Sequence, residues 1–248
     1  MMNQNNAMTK NDSSPPDLSY FHLVNKKGEI TGVFDVRIKD YIKQNHPLFM
    51  IGKLPYIYDH GYYKPDFTGA RLKSLISECI YPAYIKSTTI RRIYDLFVAD
   101  YELQISYEDL NKYSNKYINF RNGLFDPVNW KMLKHSPAYR SINQIPYSFN
   151  PDSKPERDLI DDFLENAIPD QDDREMVLEY IGLCFTKDTS LQTFLILVGI
   201  GGSGKSTIIR MIINAIGKEN VSSVSLRGLS ERFAGRQQSN RKSGRKGR

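Results

Sequence analysis

Nine consecutive residues constrain this chain more than any others: Gly199-Ile200-Gly201-Gly202-Ser203-Gly204-Lys205-Ser206-Thr207. They fit the spacing G-x-x-x-x-G-K-[ST], a loop that cradles phosphates. Its glycines let the backbone turn tightly and bring N–H groups up to phosphate oxygens. The helix that should follow points its positive end at the same place. Lys205 is expected to reach the outer phosphates as the catalytic cation, and the Ser206 hydroxyl to sit on Mg²⁺. Gly199, Ile200, Gly201, Gly202, Ser203, Gly204 and Thr207 complete the expected nucleotide loop. The flanks agree with this reading. Phe194-Leu195-Ile196-Leu197-Val198 is an unbroken apolar run, as in a strand buried on both faces of a parallel sheet. Ile208 to Ile216 is apolar nearly all round, as in a buried helix, and Gly217 supplies its stop. A glycine turn with no ligand would also join a strand to a helix; the full spacing in this context disfavours it.

The 248 residues leave room for one or two domains. With 40% apolar and 12% aromatic residues the chain reads as globular. Cys79 and Cys184 lie far apart in apolar helical patterns, which predicts buried free thiols rather than a disulfide or metal ligands. Four scattered histidines give no metal-site spacing. No apolar run is long enough to span a membrane and the N-terminus lacks a signal-peptide core, so a reducing, cytoplasmic setting is expected. The net charge of +6 misleads as an average. Residues 235–248 carry six basic and no acidic side chains, which equals the whole excess. Residues 156–179 hold ten acids and two bases. The basic balance therefore belongs to the tail and does not describe a folded surface.

Residues 1–17 are polar and read as a disordered lead-in. Residues 18–116 read as a small α+β and helical region. Within it, Tyr20 to Val24 suggests a strand and Asp35 to Gln44 a short helix. Pro55 to Tyr58 and Tyr62 to Lys64 flank Asp59-His60-Gly61 as a hairpin. Two helices follow, one carrying Leu72, Leu75, Ile76, Cys79 and Ile80, the other running from Ser87 to Tyr101. A helix–turn–helix or winged-helix unit fits these helices, with Arg71, Lys73, Lys86, Arg91 and Arg92 nearby. A plain helical subdomain with a solvated basic face is preferred, because a few exposed bases are ordinary. Tyrosines between 101 and 117, interleaved with Lys112 and Lys116, suit either base stacking or, as preferred, half-buried packing. Residues 117–190 read as a strand-and-turn segment, a connector rich in proline over 136–155 that marks a candidate boundary, and two amphipathic helices parted by Pro169. Asp170 is a plausible N-cap. The pairs Asp161-Asp162 and Asp172-Asp173 are expected on solvated faces rather than at a metal. Residues 191–234 hold the phosphate loop and its helix, and 235–248 a basic disordered tail.

The strings Asn122-Gly123-Leu124-Phe125-Asp126, His135-Ser136-Pro137 and Asn143-Gln144-Ile145-Pro146-Tyr147 stand in order before the loop. So does Glu179 to Thr186, running through Asp188-Thr189-Ser190-Leu191-Gln192 into the apolar run. Together they resemble the phage and plasmid primase–helicase family, whose motor belongs to the superfamily 3 helicases. The resemblance spans residues 117–234, with weaker similarity at the Tyr56–Lys64 hairpin. It implies an α/β fold: an incomplete P-loop NTPase core, AAA+-like, preceded by a mainly helical domain and a small α+β region. It also implies a ring-forming, ATP- and Mg²⁺-dependent motor on DNA, most readily single-stranded, working beside a primase, with no membrane partner. The family residues carried over are Gly199, Gly204, Lys205 and Ser206.

The sequence also departs from that family. Its members continue beyond the point matching Phe233-Ala234 into a strand ending in acids, then a sensor residue and an arginine finger. Here the acids after Lys205 are Glu219 and Glu231, and neither ends an apolar strand. Phosphoryl transfer needs metal and charge-stabilising groups around the γ-phosphate. The expectation is therefore that nucleotide binds while hydrolysis by this chain is absent or very slow. Residues 1–110 offer no paired acids of a polymerase-type site, so a primase half is not expected here. The abrupt change at 235 suggests a frameshifted or truncated reading frame. The competing reading is a short form that binds ATP and DNA without hydrolysis and regulates a full-length helicase, its basic tail gripping phosphates. A small P-loop kinase is a third reading, which the upstream strings oppose. An apolar run beside an unfinished sheet also predicts poor solubility.

Overall fold

The computed structural model describes residues 17–110, 116–154, 158–186, 190–225 and 227–228. The expected lead-in, Lys112, Asp188-Thr189, Glu231, Phe233-Ala234 and the basic tail lie outside the described residues, apart from Asp17. The chain divides into two compact units between Gln144 and Ile145, inside the proline-rich stretch.

The first unit opens with a 3₁₀ turn, Leu18–Phe21, capped by the Asp17 carboxylate, which accepts from the Ser19 N–H at 3.0 Å. That turn takes up the first half of the segment expected to be a strand; only β1 (His22–Val24) is extended. The cap explains the difference, because it bends the backbone just where the apolar run begins. Strand β1 pairs antiparallel with β2 (Ile30–Val33). Helix α1 (Asp35–Asn45) follows, then a three-stranded antiparallel meander of β3 (Leu48–Ile51), β4 (Leu54–Asp59) and β5 (Tyr62–Pro65). The β4–β5 turn is His60-Gly61, with φ +48° and +96°. Positive φ at both central residues suits the right-handed twist of the strands it joins. Helices α2 (Ala70–Glu78) and α3 (Ser87–Ala99) come next. A second meander of β6 (Ile118–Phe120), β7 (Gly123–Asp126) and β8 (Lys131–Leu133) follows them.

The core of this unit follows from spacing. Ile38 and Ile42 of α1, Leu72, Leu75 and Ile76 of α2, and Ile93 and Phe97 of α3 recur at three and four residues and are all buried. They pack with Phe21 and with Leu48, Met50 and Ile57 from one face of the β3–β4–β5 sheet. The alternate residues Phe49, Tyr56 and Tyr63 form a separate cluster with Leu110 on the other face. This sheet is thus covered on both sides, and β3 was hidden in sequence because Leu48-Phe49-Met50-Ile51 lacks polar alternation. Asp100 ties α1 to the end of α3: Lys39 Nζ donates to its carboxylate at 2.8 Å and Lys43 Nζ at 3.4 Å. These cations, Lys39 foremost, hold its carboxyl below the usual range.

The second unit has three helices: α4 (Asp158–Ala167), α5 (Gln171–Phe185) and α6 (Lys205–Ile216). Pro169 lies between the first two, and Asp170 Oδ1 accepts from the Asp173 N–H at 3.0 Å, the N-cap expected from sequence. Leu164, Val177 and Ile208, one from each helix, form the buried cluster. Two expectations fail here. The run Phe194–Val198 is not buried on both faces: Leu195 and Leu197 lean on the cluster, while Phe194, Ile196 and Val198 are exposed at 77, 67 and 88%. No strand pairs with it among the described residues. Full burial of such a run requires strands on both sides and helices on both faces; one helical cluster covers only alternate residues. Likewise α6 is not buried all round. Ile208 is its one buried side chain and Ile209 is 47% exposed. Of the two thiols, Cys79 is buried and Cys184 half-buried, both free as expected.

Candidate nucleotide-loop site

The glycine-rich segment forms an exposed loop ending at the first turn of α6. Gly202 and Gly204 both have φ +83°, a region that residues with a Cβ rarely adopt. Gly204 is also confined by space. A Cβ there would lie 3.0 Å from Ala167 Cβ and 3.3 Å from Phe163 Cζ, so the last turn of α4 seats the loop. This contact was not legible in sequence, where Phe163 and Ala167 read only as an apolar face. The Gly204 carbonyl starts α6 by accepting from the N–H groups of Thr207 and Ile208 at 2.9 and 3.0 Å. Ile208 buried beneath it anchors the turn.

Lys205 arches back over the loop. Its Nζ donates to the carbonyls of Gly199 and Ile200 at 2.8 and 2.7 Å and to Ser203 Oγ at 2.9 Å. Gly199, Ile200, Ser203, Gly204 and Lys205 are therefore drawn together, while Gly201, Gly202, Ser206 and Thr207 stand exposed at the rim. The N–H groups of Gly202 through Ser206 have no acceptor among the described residues, as expected before and within a helix's first turn. The loop thus has a run of backbone N–H groups without acceptors among the described residues, next to a lysine ammonium held on its own carbonyls, the chemistry that suits an anionic oxygen cluster. Ser206, the second residue of α6, is exposed. Among the described residues, no group of three His, Cys, Asp or Glu side chains could hold a metal ion. The pairs Asp161-Asp162 and Asp172-Asp173 form no such group, and Glu219 sits in a 3₁₀ turn, Lys218–Asn220, after the Gly217 stop.

In the first unit the motif residues meet in one hydrogen-bonded hub. Asn119 Nδ2 donates to the Gly61 and Asn143 carbonyls, both at 3.1 Å. His135 Nε2 donates to Asn119 Oδ1 at 3.0 Å and to the Phe120 carbonyl at 2.9 Å, so that nitrogen carries the proton. Gln144 Nε2 donates to the His60 carbonyl at 2.8 Å, and the Tyr63 N–H to the Ser141 carbonyl at 2.7 Å. A Cβ on Gly61 would fall 2.7 Å from the His135 ring. Burial, with Tyr58 alongside, pushes the Tyr63 phenol up to about 12, and it donates to the Pro137 carbonyl at 3.3 Å. Through His135, Asn143 and Gln144 the second and third strings hold the hairpin turn to the segment after β8.

Taken together, the described residues form a mixed α/β chain of small antiparallel sheets and helices, with a donor-lined loop at a helix start. The model of a protein family described as "D5 N terminal like" matches residues 21–169, and the chain belongs to that family, which is associated with the primase–helicases of phages and plasmids. The match begins well before residue 117 and covers most of the first unit. It ends before the Gly199–Thr207 loop. No curated protein matches the chain. No helix among the described residues is long and apolar enough to cross a membrane.

Proposed function

We propose that the chain is part of an ATP-driven DNA helicase, associated with a primase, that serves replication of phage or mobile-element DNA. The observation that carries this reading is the placement of Lys205, whose ammonium is held by two loop carbonyls beside a row of N–H donors. A triphosphate entering the loop would replace those carbonyls around Nζ and take up the donors of α6. Gly199, Ile200, Gly201, Gly202, Ser203, Gly204 and Thr207 would enclose its phosphates, and Ser206 would hold the Mg²⁺ that ATP brings. Family membership just upstream makes a replication motor the fitting context for such a loop. The test is binding of a fluorescent ATP analogue followed by hydrolysis with and without single-stranded DNA. Binding that Lys205→Ala abolishes is the expected result, and DNA-stimulated turnover above a blank would mark the motor as active in this chain. Absence of binding by the unaltered chain would refute the reading.

A second reading, nucleotide and DNA binding without turnover, is favoured by the position of Glu219 in a 3₁₀ turn rather than at a strand end. It predicts analogue binding with hydrolysis no faster than a blank. It also predicts DNA affinity that falls steeply with salt and disappears when residues 235–248 are removed.

A further inference from the structure

The second meander carries charge unlike the rest of its unit. Residues 116–140 hold five Lys or Arg side chains and one acid, Asp126, whereas residues 17–115 hold thirteen and twelve. That one acid is engaged by its own loop. Asp126 Oδ1 accepts from the N–H groups of Val128 and Asn129 at 3.0 and 3.1 Å, and Oδ2 from Asn129 Nδ2 at 2.8 Å. Arg121, Lys131 and Lys134 are exposed and form no ion pair among the described residues. A positive surface left uncompensated in this way suits a polyanion.

The loop that Asp126 closes adds an aromatic ring. Residues 127–130 join β7 to β8, and Trp130 takes φ +49°, a region that a residue with a Cβ seldom adopts. Its ring packs edge-on with Phe125, centroids 5.1 Å apart, and Phe125 is buried. That contact fixes the indole, yet Trp130 remains 61% exposed and Val128 88%. A surface aromatic by itself is ordinary, but this one stands where the bases are. Strand β8 is an outer strand of the meander, and Trp130, Lys131 and Lys134 follow one another along it. Leu133 pairs with Leu124 and Phe120 with Gly123, so the Arg121-Asn122 turn lies at the Lys134 end. Lys131 and Lys134 are three residues apart, about 10 Å along an extended strand. The β8 edge is thus a short basic track with an aromatic ring at its start. A duplex keeps its base faces stacked on one another; a single strand offers them to such a ring.

We infer that the β8 edge binds single-stranded nucleic acid, a base stacking on Trp130 and backbone phosphates lying on Lys131, Lys134 and Arg121. The choice of nucleic acid over an anionic lipid surface rests on the reading of the chain as part of a DNA motor; the basic aromatic edge itself does not. It asks nothing of the Lys205 loop.

Trp130 is the chain's one tryptophan, so its fluorescence reads this edge directly. The experiment is a titration of the full chain with an oligothymidylate of about 20 nucleotides, followed by quenching of that emission. Saturable quenching is expected, with an affinity that falls as salt rises. Variant affinities are read by anisotropy of the same oligonucleotide carrying a dye, in chains of unchanged melting. Trp130→Ala should weaken binding about tenfold, and Trp130→Phe should restore most of it. Lys131→Ala and Lys134→Ala should each weaken it several-fold and lower the salt slope by about one. Absence of quenching, or unaltered affinity in Trp130→Ala, overturns the proposal. Loss of the quenching when residues 235–248 are removed gives the binding to the basic tail and overturns it as well. Quenching by phosphatidylserine vesicles but not by the oligonucleotide marks a lipid surface and overturns the nucleic-acid assignment. A duplex of equal length that binds as tightly overturns the single-strand assignment. Lys205→Ala should leave the quenching in place, so failure of the nucleotide loop and failure of this edge are told apart.

Discussion

At the scale of single residues, the most exacting positions are set by backbone and space together. Gly204 combines φ +83° with Ala167 and Phe163 within 3.0 and 3.3 Å of where a Cβ would stand. Gly204→Ala should therefore lower the stability of the second unit by at least about 1 kcal/mol, measured by denaturant unfolding. Gly201→Ala, which meets nothing within 4 Å and has ordinary backbone angles, should leave it unchanged. In the first unit, His135→Ala removes the ring N–H that donates to Asn119 Oδ1 and the Phe120 carbonyl. A loss of about 1–3 kcal/mol is expected, read as a lowered Tm. Asp100 gives a pH dependence. Its folded pKa lies below the unfolded value, so its contribution is fully present above the ordinary carboxylate range. It is lost as pH falls through the depressed folded value. Acid titration of stability should show that decline, and Asp100→Asn should flatten it. Glycine spacing made Gly204 legible beforehand. The partner that makes it exacting, Ala167, was not, because thirty-seven residues separate the two and no local pattern links them.

At the scale of elements, periodicity served the first unit well. Helices α1, α2 and α3 and the His60-Gly61 hairpin stand close to where apolar spacing and turn residues place them. It failed where burial depends on a neighbour. The run Phe194–Val198 is as apolar as any buried strand, yet alternate residues face outward. An apolar segment that no strand among the described residues pairs with is a site for association between chains. The chain should aggregate at micromolar concentration, and Ile196→Lys, on the outward face, should reduce light scattering without lowering Tm. A monodisperse, cooperatively melting monomer in the unaltered chain would contradict this.

At the scale of the whole molecule, the two units differ in how much they bury. The first holds a cluster of fourteen buried residues, the second one of three, among the described residues. Local stability follows buried apolar contact, so amides of α5 and α6 should exchange with solvent faster than those of α1 and α3. The sequence by itself determined the donor loop, the helix N-cap at Asp170, the hairpin turn and the family strings. Each of these rests on residue type at short spacing, where backbone freedom and side-chain reach act locally. Only the tertiary structure decided which apolar residues are covered, that Lys205 turns back onto the loop's own carbonyls, and that His135, Asn119 and Gly61 close one hub. Those outcomes depend on which distant segments come to lie side by side, and that is fixed by packing rather than by any single stretch of chain.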